Sequence, residues 1–313
     1  MLSFTTGRNL YGKLTKNTTS TNLTDGDLFI SDTLRKILAM TDWWWAETSD
    51  TVATVATQQA YQIPKTIRKV SDVYVTVGTT IYTPKKIYDP EQWSGILQRQ
   101  LGSSDVALFA YIRGKQLLLA PTPSSINTIT FVGRIGAVDL SIADYTTGTI
   151  VSIANAATTV TGSGTTWNAS MKGRYIRIDD SEAANVGDNV WYEIASVTST
   201  TVLELVKPYE GTAIAAGSPT YAIGQMSPLP EEYELAPIYR ATALYWDSQG
   251  DHNRADTYWQ LYDGGKEKGK VKLAGGIIGS MTEDNSTFEG VMIPRSSDTS
   301  IDINNYPRDL TGF

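Results

Sequence analysis

The residues of this chain whose side chains could support acid–base or metal chemistry are one histidine and a group of closely spaced carboxylates. His252 is the only histidine, and beside Asp251 at the start of a helix it is expected to be solvated. The carboxylates of residues 179–182, together with Asp188, could crowd a Ca²⁺ ion, but their spacing does not match an EF-hand loop. A solvated hairpin tip is the favoured interpretation.

The residue types that are missing exclude several kinds of site. The chain has no cysteine, which removes disulfides, thiolate zinc sites, Fe–S clusters and cysteine nucleophiles. The Gly162-Ser163-Gly164 segment lacks the strand and helix of a dinucleotide site, and the sequence contains no Walker A loop or Gly-x-Ser-x-Gly elbow. A glycosidase-type pair of carboxylates is set by position in space and stays open. We expect no catalytic residue, no cofactor and no metal, and a protein that is not an enzyme.

Composition predicts an ordered, acidic protein. The 313 residues suffice for one large domain or two ordinary ones, and 41% of them are hydrophobic, enough to build a core. The 8 tryptophans and 17 tyrosines suit both sheet cores and protein interfaces. The net charge of −7 disfavours tight binding to a phosphate backbone, and an acidic wall would let DNA slide past. A solvated face is expected for the nearest approach to a basic cluster: Lys65, Arg68, Lys69, Lys85 and Lys86.

The sequence gives no sign of a membrane partner. The first residues lack the basic and apolar regions of a signal peptide. No stretch approaches the roughly 18 apolar residues that a membrane span needs.

The elements that must position any site begin with helices and then change to strands. Apolar spacing predicts a weak helix over residues 7–17 and a second one that opens at residues 24–27 and stops near Thr41. Trp43-Trp44-Trp45 is expected in a strand, with two indoles on one side and one on the other. A short helix should follow Asp89 as its N-cap. A sandwich or barrel is predicted from seven strands, at residues 51–57, 60–63, 69–77, 80–83, 106–112, 116–120 and 128–135.

The second half of the chain predicts a strand-rich unit and then a helical pair. Residues 146–224 are expected to form a small all-β domain inserted into a loop of the host domain, with a tight turn at 161–165. After Met226 the spacing becomes helical. Pro237 either begins the first helix or kinks it, and Gly250 separates that helix from a second one. The predicted strands of the inserted domain lie at residues 149–153, 158–161, 175–178, 191–197 and 202–205.

Residues 274–313 are predicted to form an extended C-terminal tail. Its acidic side chains outnumber its basic ones, and isolated apolar residues are spaced along it. This pattern is typical of a segment that becomes ordered on a partner, and simple disorder is the alternative. The candidate interface residues are Ile277, Ile278, Met281, Phe288, Ile293, Tyr306 and Phe313.

The predicted fold class is therefore α+β. It combines an α-helical hairpin or bundle with an antiparallel β-sandwich or barrel, formed by residues 1–145 and 225–273. The small all-β domain at residues 146–224 is inserted into this core, and the tail at residues 274–313 follows it.

Three segments of the helical pair resemble the paired helices of head-to-tail adaptor proteins (connector or head-completion proteins) of tailed bacteriophages. They are LPEEY at residues 229–233, ATALYW at 241–246 and RADTY at 254–258. The order of elements near the N-terminus is also similar to that of such adaptors. A helix comes first, then the three tryptophans, and then strands that end in QLLLAPTP at residues 116–123. The inserted segment resembles a small β-domain of phage neck and tail proteins. The resemblance spans most of residues 1–275.

This resemblance implies a structural protein of the virion neck, assembled in the host cytoplasm. Copies would form a ring under the twelve-subunit portal protein and lengthen the DNA channel, through which DNA passes without specific binding. The ring would present a platform for tail nozzle or fibre proteins, and the tail segment would dock on the portal or on a neighbouring copy. Such a ring is a heterologous interface that closes by rotation.

Two other functions agree with the sequence. Another phage tail component, such as a nozzle, tube or fibre-attachment protein, would use the inserted β-domain as its main functional part. A carbohydrate-binding module or glycan hydrolase would use aromatic side chains such as Trp167 or Trp191 as stacking platforms for sugars.

Overall fold

The computed structural model describes residues 1–99, 101–137, 140–179, 187–215, 219–264, 266–267, 270–271 and 276–291. These residues form a mixed α+β structure, as predicted. The α-helices are α1 (Phe4–Thr15), α2 (Ser20–Met40), α3 (Pro90–Gln98), α4 (Ala236–Ser248), α5 (His252–Asp263) and α6 (Gly276–Val291). Single 3-10 turns lie at Trp44–Ala46, Ala169–Met171 and Glu231–Tyr233.

The strands fall into two groups along the chain, followed by one short pair. The first group is β1 (Glu47–Ala53), β2 (Ala60–Gln62), β3 (Ile67–Val77), β4 (Thr80–Tyr82), β5 (Lys85–Ile87), β6 (Phe109–Arg113), β7 (Gln116–Ala120) and β8 (Thr128–Ile135). The second is β9 (Thr149–Ser152), β10 (Thr159–Ser163), β11 (Tyr175–Ile178), β12 (Trp191–Ser199), β13 (Val202–Leu205) and β14 (Tyr221–Gly224). The short pair is β15 (Lys266–Glu267) and β16 (Lys270–Val271).

Helix α2 begins earlier than predicted, at Ser20. The Thr19 hydroxyl accepts the Asn22 backbone N–H at 3.4 Å, and the Asn22 amide donates to the Asn17 carbonyl at 2.6 Å. The Tyr11 hydroxyl of α1 donates to Asn22 Oδ1 at 3.1 Å. The prediction was wrong because Thr and Asn favour loops when they stand alone, whereas here α1 supplies partners for them inside a helix.

The run Trp43-Trp44-Trp45 leads from α2 into β1 through a 3-10 turn, so the prediction of a strand was wrong. The Trp43 indole N–H donates to the Ile37 carbonyl at 2.7 Å. This bond folds the ring back onto the end of α2, where it is 1% exposed. Trp43 and Trp45 stack with centroids 6.0 Å apart, while Trp44 is 43% exposed.

Two four-stranded sheets, in the orders β1-β8-β3-β4 and β2-β7-β6-β5, share one apolar core. Val73 and Phe131 of the first sheet and Leu117 of the second are almost fully buried in it. The β5–β6 pair is parallel, which departs from the fully antiparallel arrangement that was predicted. Helix α3 covers the second sheet, and its N-cap is Asp89 as expected, with the carboxylate accepting the Glu91 N–H at 2.9 Å.

The helical pair α4–α5 packs with α1, α2 and α6 around a second core. Pro237 lies in the first turn of α4, so the helix begins there and the alternative of a kink falls away. Gly250 adopts a left-handed φ of 76° between the helices. Asp251 then caps α5 by accepting the Arg254 N–H at 3.2 Å.

Strands β9–β14 form a six-stranded antiparallel sheet in the order β14-β11-β12-β13-β10-β9, with an apolar core of its own. The prediction missed β14 and placed a tight turn where β10 continues to Ser163. Gly162 stands inside this strand because a Cβ there would meet the Trp167 ring at 2.8 Å. The glycine that suggested a turn instead allows a close approach of an indole.

The prediction of an extended tail was wrong for Gly276–Val291, which is helix α6. Apolar residues at positions 277, 278 and 281 share one helical face. Ile278 and Met281 are 2% and 1% exposed within the helical core. The sequence interpretation took these residues as isolated because Gly and Ser separate them, although their spacing is helical.

Candidate interaction surfaces

An open basin of about 830 Å³ lies where α5, α6 and the turn Glu231–Tyr233 meet Trp44. Its exposed apolar side chains include Trp44 and Leu261, each 43% exposed. Large exposed apolar groups surrounded by polar ones mark sites of protein association. The remaining lining residues are Glu232, Tyr233, Gln260, Gly276, Ile277, Ser280 and Asp284.

Hydrogen bonds fix the wall of this basin. The Tyr233 hydroxyl donates to the Asp284 carboxylate, and the Trp44 backbone N–H donates to Asn285 Oδ1 at 2.9 Å. Burial and then the hydrogen bond to Asp284 raise the pKa of Tyr233, so the phenol keeps its proton and remains a donor. With Glu232 at the rim, the basin is both apolar and acidic.

The seven candidate interface residues of the sequence analysis have different positions. Ile277 lines the basin and is half-buried. Ile278 and Met281 lie inside the chain's own core, which corrects the expectation that they are available to a partner: the helical fold of α6 turns them inward. Phe288 belongs to α6, but its side chain lies outside the described residues, as do Ile293, Tyr306 and Phe313.

Half-buried aromatic side chains of the α4–α5 pair contact charged groups. The Arg254 guanidinium lies over the Trp246 ring, 4.6 Å from its centroid. The Trp259 indole donates to Asp247 Oδ2 at 2.9 Å, and His252 lies 3.3 Å from the other oxygen of that carboxylate. The His252 side chain is 75% exposed, so the prediction that it is solvated is confirmed.

A basic cleft of about 660 Å³ lies between the two four-stranded sheets. Three cations that were predicted to form a solvated face line it, namely Lys65, Arg68 and Lys69, and they are joined by Lys115. Lys115 was missed because it lies in a different hairpin, about 50 residues along the chain, and only the pairing of β2 with β7 brings it near. The apolar lining is Ile63, Pro64, Ile67, Val70 and Ile112.

Asp42 pairs with two of the cations that line this cleft. It accepts from Lys69 Nζ at 2.6 Å and lies 3.7 Å from Arg68. The hydrogen bond from Lys69 lowers the pKa of Asp42. Within the described residues, Lys65 and Lys115 form no ion pair. The cleft therefore retains an excess of positive charge on a chain that is acidic as a whole.

The aromatic side chains of the six-stranded sheet are used internally. Trp167 is 1% exposed and donates to the Tyr221 hydroxyl at 2.9 Å. It is therefore not available as the sugar platform that the carbohydrate-binding alternative assigned to it. Trp191 is half-buried, and the Arg177 guanidinium covers its ring at 5.0 Å.

The carboxylates at residues 179–182 fall partly outside the described residues, which resume at residue 187. Asp179 accepts from Arg177 at 3.1 Å and from Thr220 at 2.9 Å, while Asp188 accepts from the Tyr192 hydroxyl. Among the residues that the structure describes, no group of three or more His, Cys, Asp or Glu side chains could hold a metal ion.

Comparison with known proteins adds no assignment. No protein-family model matches the sequence, and no curated protein matches it significantly. In the part of the chain that the structure describes, no helix has the length and apolar character needed to cross a membrane.

Proposed function

We propose that this chain is a structural adaptor of a phage virion neck, which forms a ring with its own copies and docks under the portal protein. In this role it extends the DNA channel and provides a platform for tail proteins. The proposal comes from the resemblance of the helical pair to head-to-tail adaptors. The observation that carries it structurally is the basin of about 830 Å³, an apolar and acidic surface built on that same helical body.

The position of the three resembling segments supports this proposal. Residues 229–233, 241–246 and 254–258 lie in or beside the Glu231–Tyr233 turn, α4 and α5, and all belong to one packed helical unit. The basin opens next to them, so a partner that fills it would contact the part of the chain that resembles adaptors.

The first experiment is native mass spectrometry of the purified chain, alone and mixed with the portal ring from the same source. We expect about one copy to add per portal subunit, since a closed ring matches its partner's symmetry. A chain that stays monomeric in the presence of the portal ring would overturn the adaptor proposal.

A matched pair of variants then tests the basin. Leu261→Asp places a charge among its apolar side chains, and we expect it to weaken portal binding by at least about tenfold, as for a residue near the centre of an interface. Leu28→Asp makes the same change at a leucine of α2 that is 65% exposed and does not line the basin. Equal binding by both variants would exclude the basin as the docking surface.

A further inference from the structure

The basic cleft is bordered by the edges of two sheets. Within the described residues, β2 pairs with β7 alone, and residues 67–70 of β3 pair with β8 alone, because β4 pairs only with Val75–Val77. Gln62 of β2 and residues 67–70 of β3 line the cleft. Unpaired strand edges are positions where an extended segment of another chain can align.

The side chains around these edges select the kind of segment that would bind. Positive charge comes from Lys65, Arg68, Lys69 and Lys115, and Ile63, Pro64 and Ile112 provide apolar surface. An extended peptide presents alternate side chains to opposite sides. A peptide that suits this cleft would therefore place acidic groups on one side and aliphatic groups on the other.

One segment of this chain has that pattern. In residues 298–304, DTSIDIN, the acids Asp298 and Asp302 occupy even positions, while Ile301 and Ile303 occupy odd positions. In an extended conformation the acids would face one side and the isoleucines the other. The segment lies beyond the described residues and follows α6, which ends at Val291.

We propose that the basic cleft binds residues 298–304 of a neighbouring copy of this chain as an extended segment. The acids would pair with the cations of the cleft, and the isoleucines would cover its apolar side chains. The assignment of this segment to a neighbouring copy rests on the ring of copies in the proposed function. A segment passed from each copy to the next makes the heterologous contact that such a ring needs.

The lining of the cleft favours a peptide over a nucleic acid. Grooves for single-stranded nucleic acids combine positive charge with aromatic side chains on which bases stack, and none of the lining residues is aromatic. Its apolar surface is aliphatic and would leave the bases of a nucleic acid without a stacking partner. Nucleic-acid binding is nevertheless a measurable outcome and enters the test.

The first test measures binding of a labelled peptide with the sequence of residues 296–306 by fluorescence anisotropy. The receptor is the full chain carrying D298S/I301S/D302S/I303S, so that its own segment has neither the charges nor the isoleucines and does not compete with the peptide. We expect saturable binding that K65E/K115E, added to the receptor, weakens by at least about tenfold, because two charge pairs become repulsive. A receptor with K85E/K172E, which changes the same net charge away from the cleft, should bind normally.

Exchange of the charges gives the decisive comparison. A peptide carrying D298K/D302K should bind the K65E/K115E receptor better than it binds the receptor with its lysines intact. Equal binding by all receptors, or binding of a labelled DNA strand in place of the peptide, would overturn the proposal. Circular dichroism of each receptor checks that the fold is retained.

The second test identifies the source of the segment. Full chains carrying K65E/K115E keep the segment but lose the cleft, and full chains carrying D298K/D302K do the opposite. A mixture of the two should form heterodimers in native mass spectrometry, while K65E/K115E alone should not self-associate. Peptide binding without heterodimers would overturn the assignment to a neighbouring copy. Heterodimers without portal binding would retain this inference and remove only the adaptor function.

Discussion

Substitution of Gly26 by alanine should destabilise the protein, although helix propensity alone predicts the opposite. Gly26 lies inside α2, where alanine is intrinsically favoured by about 1 kcal/mol. A Cβ at this position would lie 2.5 Å from Tyr11 Cδ1, far inside van der Waals contact. Tyr11 has no exposed surface, and its hydroxyl donates to Asn22 Oδ1 at 3.1 Å, so the ring cannot withdraw without losing that bond.

The expected magnitude follows from these contacts. Overpacking a rigid core costs up to about 3 kcal/mol, and loss of the Tyr11–Asn22 hydrogen bond costs about 1 kcal/mol. The gain in propensity offsets about 1 kcal/mol, which leaves a net loss of about 3 kcal/mol for Gly26→Ala. Gly95→Ala in α3 is the matched control, since a Cβ at Gly95 meets nothing within 4 Å. It should stabilise the protein by up to about 1 kcal/mol.

Hydrogen exchange followed by mass spectrometry measures this effect locally in α1 and α2, and urea unfolding measures it for the whole chain. Gly26→Ala should speed exchange in both helices, whereas Gly95→Ala should not. In a Tyr11→Leu background, which removes the ring, the cost of Gly26→Ala should largely disappear. If Gly26→Ala and Gly95→Ala were equally stabilising, the close packing of α1 on α2 would be refuted.

Three further predictions concern the helical core. Burial raises the pKa of Asp27 to about 6 despite its pairing with Arg8. Because the folded state favours the protonated form, the contribution of this carboxyl to stability should be present at acidic pH and lost as pH rises from about 4 to about 6, and Asp27→Asn should remove this part of the pH dependence of urea unfolding. Trp43→Phe removes the bond to the Ile37 carbonyl and leaves space in the core, so it should cost about 2–3 kcal/mol in urea unfolding. Met281→Ala should cost about 2–4 kcal/mol if α6 packs in the core, and almost nothing by the same measurement if this segment is extended.

The elements that the sequence predicted correctly are those in which the local residue pattern and the surrounding tertiary contacts favour the same structure. Strands β7, β8, β11 and β13 lie at the predicted residues, and α3 has its predicted cap at Asp89. In each case an apolar pattern is bounded by turn residues or by a cap, and contacts with distant parts of the chain do not change the structure that this local pattern favours. The predicted start of α2 was wrong because the first turns of this helix are hydrogen-bonded to α1. Helix propensities describe residues one at a time and cannot take such contacts into account.

The interaction surfaces were harder to predict than the fold, because each combines residues that are distant in sequence. Lys115 approaches Lys65 only through the pairing of β7 with β2, so no local charge count includes both. The basin brings Trp44 to Asp284, separated by most of the chain. A helical interpretation of residues 277–281 was within reach of the sequence, since their apolar spacing suits a helix.

The opposite charges of the basic cleft and the acidic basin give a physical reason for selective self-association. A chain with a net charge of −7 repels its own copies at long range, so contacts between randomly oriented copies are disfavoured. The basic cleft is the described surface where this repulsion is locally reversed, with two lysines that have no ion pair of their own. The acidic basin near Asp284 has the opposite character and would disfavour an acidic segment. Repulsion over most of the surface and attraction at one cleft together specify where a copy can bind, a form of selectivity that apolar contacts alone would not provide.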